Sequence, residues 1–161
     1  MFPLHYEGDI FRPPSEARSL ILQATIGCSH NRCTFCAMYK RKKFRERNLD
    51  ELEKEINAAG RTWPHTRRVF LADGNALTMA SEKLRSILEL LNTSFPHLER
   101  VAIYSNPHDL LQKESSELTE LRRLKLGMIY LGVESGSASL LQAVNKGATP
   151  AEMILGAARV K

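Results

Sequence analysis

Four times along its 161 residues this chain sets an apolar, strand-like run before a segment with helical spacing, and that alternation leaves few folds open. The runs occupy 19–26, 69–72, 101–104 and 128–133. After the first, Asn48 stands as a helix cap with Glu51 three residues on. Leu49, Leu52, Ile56 and Ala59 then recur on one face until Gly60, where a helix-ending glycine belongs. After the second run, Ser81 caps a stripe of Leu84, Ile87, Leu88 and Leu91, stopped by Pro96. After the third, Asp109 and Gln112 suit a helical turn, and Ser116 caps a helix through Leu118, Leu121 and Leu124 that Gly127 ends. The fourth is followed by a short helix around Leu140, Leu141 and Val144, ending near Gly147. A capping box, Thr149-Pro150-Ala151-Glu152, then opens a helix with Met153, Ile154, Leu155 and Ala158.

Strands joined through helices run parallel and are covered by those helices. The expected fold class is therefore α/β: a partial (β/α) barrel of parallel strands with outer helices, about four βα units long. A closed barrel of eight units takes about 250 residues. Residues 19–161 thus read as the N-terminal part of a larger barrel domain, and 1–18 as a Pro-containing lead-in. A free-standing four-stranded α/β layer is the other architecture that fits. In either, ligands sit at the C-terminal ends of the strands. Those ends are Gly27-Cys28, Asp73-Gly74-Asn75, Ser105-Asn106-Pro107 and Glu134-Ser135-Gly136, small or polar where the strands are apolar.

Composition excludes several classes. At 43% hydrophobic and 25% charged residues, the chain suits one buried core and is neither disordered, collagen-like nor a disulfide-stapled miniprotein. It holds no stretch of twenty apolar residues, and its start lacks a basic segment followed by an apolar one. Neither a membrane span nor a secretory signal is expected, and a cytoplasmic location is. A net charge of +5 permits an anionic partner without requiring one.

The three cysteines, Cys28, Cys33 and Cys36, fall within nine residues. Such spacing suits a metal or cluster site in a reducing compartment better than a disulfide framework. Three thiolates would leave one iron of a four-iron cluster open to a non-protein ligand. Other readings stay open on the loop alone: a structural zinc site with His30 as fourth ligand, a redox pair Cys33 and Cys36, or inert buried thiols.

A strand running into Gly27-Cys28, a three-cysteine loop with Phe35 before the last cysteine, and βα units after it resemble the radical S-adenosylmethionine (SAM) superfamily. Within it, the likeness is to methylthiotransferases and elongator-type enzymes, from about Ser19 onward. The family usually has three residues between its first two cysteines; this chain has four, 29–32, a departure that bears on cluster geometry.

The resemblance implies that Cys28, Cys33 and Cys36 hold a [4Fe–4S] cluster whose open iron is chelated by the methionyl amine and carboxylate of SAM. It places Phe35 near adenine. Asp73-Gly74-Asn75 stands where the family has a Gly-Gly-Glu-like segment that holds the methionyl amine, and Gly74 permits close backbone approach. Glu134 matches the residue that hydrogen-bonds the ribose hydroxyls, with Ser135 adding a contact and Ser105 reaching the methionyl or ribose part. The alternative for Glu134 is a helix cap or salt bridge. The implied reaction takes one electron from a flavodoxin- or ferredoxin-type donor, breaks the C5′–S bond of SAM, and lets a 5′-deoxyadenosyl radical abstract hydrogen from a substrate the sequence does not name. On this reading His30→Ala hardly touches the cluster. Two rivals remain: a zinc-stabilised Cys3His module that binds nucleic acid, and a truncated fragment without catalysis.

The basic run Lys40-Arg41-Lys42-Lys43-Phe44-Arg45-Glu46-Arg47 reads first as a solvated connector. An RNA-binding edge, or cations that neutralise the cofactor carboxylate, are its other readings. His5, His65, His97 and His108 read as surface or structural residues, and Trp63 as packing on a helix end. Tyr6 and Phe11 are candidates to cover the barrel mouth.

Overall fold

The structure, a computed structural model, describes residues 3–160. In chain order its elements are β1 (Leu20–Gln23), β2 (Thr25–Ile26), β3 (Arg45–Glu46), α1 (Leu49–Thr62), β4 (Arg68–Ala72), α2 (Ser81–Ser94) and β5 (Arg100–Ser105). Then come α3 (Pro107–Leu111), α4 (Ser115–Arg123), β6 (Leu126–Leu131), α5 (Ala138–Ala143) and α6 (Pro150–Ala158). The main sheet has the order β1-β4-β5-β6, every pair parallel, which is the partial α/β barrel expected.

Residue alternation along the strands builds two apolar layers. Val69, Leu71, Val101 and Ile103 pack under the helices with Leu52, Ile56, Leu84, Ile87, Leu88 and Leu91. Each fully buried side chain of this kind contributes about 1.5–3 kcal/mol. On the opposite face Phe70, Ala72 and Ala102 meet Ile10, Ile21, Tyr104 and Tyr130. The Phe70 and Tyr104 rings stand edge to face at 5.0 Å. The lead-in covers this inner face. Its Glu16 is fully buried, accepts a bond from the Tyr130 hydroxyl at 2.7 Å and pairs with Arg100, as a carboxylate removed from water must.

Several local expectations change. The run 19–26 is two elements, because β2 leaves the main sheet to pair antiparallel with β3. Gly60 lies inside α1 and ends nothing; a Cβ there would stand 2.5 Å from the Ser94 carbonyl oxygen, so glycine serves the close approach of α1 to α2. Asn48 does cap α1, accepting from Asp50 N–H at 2.8 Å, while Glu51 turns to Arg47 instead of closing a box. Ser81 is the first residue of α2 rather than its cap, and Ser116 sits within α4, which starts after Glu114. Gly127 is a strand residue of β6. Thr149 and Glu152 form the expected capping box of α6. Among the described residues no helix is long and apolar enough to cross a membrane.

Candidate metal centre

Pairing between β1 and β4 continues past their ends. Ala24 N–H bonds to Ala72 O at 2.7 Å and Gly74 N–H to Gly27 O at 3.0 Å, which sets Cys28 against Gly74. A Cβ on residue 74 would lie 2.7 Å from Cys28 Cβ and 2.9 Å from Tyr39 Cε2, so only glycine fits.

Cys28, Cys33 and Cys36 are free, half-buried thiols. Burial pushes the Cys33 pKa up, charge on Cys28 and Cys36 pushes the same way, and the Lys146 ammonium pulls it down. Binding a metal centre takes the proton off a thiol, so a cationic centre would offset the cost of a buried Cys33 thiolate. Among the described residues no three His, Cys, Asp or Glu side chains are gathered to hold a single metal ion. A four-iron cluster takes each thiolate on a different iron, so its donors surround a larger object. The donor set fits that group. The Cys3His quartet is not gathered at one point among the described residues, and His30 Nε2 lies 2.8 Å from the Asn145 carbonyl oxygen.

Asp73 is fully buried at the end of β4. Its Oδ2 accepts from Gln23 Nε2, Gly27 N–H and Lys42 Nζ, each at 2.9 Å. Among the described residues its Oδ1 is buried without a hydrogen-bond partner, as is the Tyr39 hydroxyl. Burial, with the Asp73 charge second, drives the Tyr39 pKa far above its usual value. Asn75, also fully buried, is spent within the protein: Oδ1 accepts from Ser29 N–H at 2.9 Å, and Nδ2 donates to Ser29 Oγ at 2.7 Å and to Asp109 Oδ2 at 3.0 Å.

The remaining expected residues divide. Ser105 is buried at the end of β5 with its hydroxyl donated to the Asn106 carbonyl at 2.8 Å, so it makes no bond to the loop. Glu134 has left-handed backbone (φ 60°) and pairs through Oε1 with Lys146 Nζ at 3.3 Å. The Ser135 hydroxyl accepts from Ser137 N–H at 3.0 Å. Phe35 is half exposed, and Lys146 Nζ stands 6.0 Å from its ring centroid. Lys146 therefore joins Cys33, Phe35 and Glu134 at one place. Sequence reasoning missed it, because it lies in a turn; its only signal is its setting between Asn145 and Gly147, both left-handed.

Most of the basic run is solvent-exposed, as a connector would be, while Lys42 and Arg47 are drawn into the fold. Lys42 is bound to Asp73, Lys40 donates to the Asn31 carbonyl at 3.0 Å, Arg45 pairs with Glu7, and Arg47 is buried against Glu55. Arg41 and Lys43 line a groove of about 1160 Å³ with Phe11, Met38 and Phe44. Phe11 packs edge-on to Tyr39 at 5.8 Å.

The family model of the radical SAM superfamily matches residues 22–161. Among solved structures, the cobalamin-dependent S-adenosylmethionine radical enzyme OxsB with aqua-cobalamin and S-adenosylmethionine bound aligns at a TM-score of 0.73 and 20% identity. The same enzyme with aqua-cobalamin bound gives 0.72 and 20%, and its selenomethionine-labelled apo form 0.70 and 22%. Each alignment covers 88% of this chain and 22% of the other, so the chain spans about a fifth of the length of those structures. No curated protein matches the sequence. At such identities the structural likeness establishes the fold, whereas the family match takes in all three cysteines and the ends of all four strands. By that match, the chain belongs to the radical SAM superfamily.

Proposed function

We propose that this chain holds a [4Fe–4S] cluster through Cys28, Cys33 and Cys36, binds SAM beside it, and serves as the core of a radical SAM enzyme. When bound, the two groups supply reductive cleavage of the C5′–S bond, the opening step of hydrogen abstraction, with the electron drawn from a flavodoxin- or ferredoxin-type protein. The observation that carries this reading is the set of three half-buried thiols on one loop, with Gly74 close against Cys28 and Lys146 near Cys33.

The other side chains then take roles from their chemistry. The Lys146 ammonium offers a counter-charge to the cofactor carboxylate, and Phe35 a face for adenine. Glu134 is an acceptor for two ribose hydroxyls. Asp73 Oδ1, which takes no bond among the described residues, is the acceptor left over for the methionyl amine. Asn75 and Ser105, both committed to protein partners, support the strand ends. Phe70, Tyr104 and Tyr130 give the inner face an apolar wall that excludes water.

The test is an anaerobic assay of iron, sulfide and zinc with a visible spectrum, after reconstitution, on the wild type and Cys33→Ala. The expected result is about four irons and four sulfides per chain, lost in the variant. One zinc without sulfide would overturn the reading.

A further inference from the structure

His30 has no part in the chemistry above, yet it is firmly tied. Its Nε2 meets the Asn145 carbonyl oxygen at 2.8 Å, and its ring lies so close to Gly147 that a Cβ there would come within 2.4 Å of Cε1. Gly147 (φ 73°) and Asn145 (φ 53°) are both left-handed, which turns the chain after α5 around the imidazole. Two more bonds join the same segments: Thr34 N–H to Val144 O at 2.9 Å and Asn145 Nδ2 to Arg32 O at 3.3 Å. On the other flank, Asn31 is itself left-handed (φ 42°), and its amide donates to the Tyr39 and Lys42 carbonyls at 2.8 and 3.3 Å. With Ser29 held by Asn75, every residue of the four-residue gap between Cys28 and Cys33 has an anchor outside the loop.

A gap one residue longer than the family's usual three must store that residue without spreading the thiols. Untethered, it would leave the loop with several conformers and no single sulfur spacing. We propose that His30 is a positioning residue: by donating Nε2–H to Asn145 O, against Gly147, it clips the cysteine loop to the turn after α5 and stores the extra residue outside the thiol site. The same clip brings Lys146, between the two turn residues, to Phe35 and Cys33. The consequence for cluster geometry rests on the function proposed above; the clip itself does not.

The test compares the 161-residue chain with His30→Ala, His30→Gln and Gly147→Ala. Thiol alkylation by iodoacetamide is followed at each cysteine in the metal-free protein, and iron content and midpoint potential after anaerobic reconstitution. In His30→Ala, Cys33 should react about three- to tenfold faster, the worth of one hydrogen bond, with a shifted potential and a melting temperature lower by only about 2–4 °C. His30→Gln, which keeps an N–H donor, should recover most of both readouts. Gly147→Ala, which pushes the ring out from the other side, should reproduce His30→Ala. Equal alkylation rates in wild type and His30→Ala would overturn the clip, and so would a bound zinc lost only in His30→Ala. A wild type that takes up no iron would refute the cofactor reading, while the alkylation rates would still decide the clip.

Discussion

The Lys42 ammonium lies 2.9 Å from Asp73 Oδ2 beneath the strand ends that carry Cys28, with Asp73 fully buried and Lys42 nearly so. The carboxylate does not reach water and depends on Lys42, Gln23 and Gly27, whereas the Lys42 ammonium keeps some exposure and also donates to the Asp9 carbonyl at 2.6 Å.

Removing the carboxylate takes the acceptor from Lys42, Gln23 Nε2 and the Gly27 N–H, the last two buried. Asp73→Ala should cost about 3–5 kcal/mol. Lys42→Met should cost less, because Gln23 and Gly27 still donate to Asp73. Urea unfolding of the metal-free chain measures both; near-equal stability of Asp73→Ala and wild type would mean the pair is solvated.

Adding one methyl at residue 74 tests how tightly the loop is seated. Gly74→Ala must displace Cys28 or Tyr39, both packed against it, and should cost about 1–3 kcal/mol by overpacking. It should also lower iron uptake sharply. Gly136→Ala is the control, since a Cβ there meets nothing within 4 Å. Matching iron content in the two variants would count against the close seat.

Asp109 gives a pH signature. Burial raises its pKa, against the pull of the Asn106 N–H, the Asn75 and Thr78 hydrogen bonds and the Lys113 charge. The folded protein therefore keeps this proton at pH values where the unfolded chain has lost it. That stabilisation is complete below the ordinary carboxylate pKa and is lost as pH rises through the higher folded value. Asp109→Asn removes this loss, so its stability relative to wild type should improve as pH climbs from strongly acid toward neutral. Urea midpoints across that range provide the check, and a constant difference would contradict it.

The four strands, the helix stripes and the cysteine loop were legible because each is a local pattern: alternation, helical spacing, or reactive side chains close in sequence. The corrections come from contacts between distant segments. Gly60 resembles a helix terminator until the Ser94 carbonyl is seen against it. That the Asn75 amide is bonded to Ser29 and Asp109 could not be read from its place at a strand end. Lys146 carries no local mark, and His30 is marked only as a candidate zinc ligand, since the contacts of both depend on a turn more than a hundred residues beyond the loop.

The bond from His30 to Asn145 spans 115 positions, which has a bearing on synthesis. A ribosome releases the three thiols long before it releases the turn that holds them. In that interval the loop has only its Ser29 and Asn31 anchors, and the His30 side is not yet held. Loading during translation would meet a loose chelator. Loading after release would meet a chain in which the Asn145 carbonyl is already in place to hold His30.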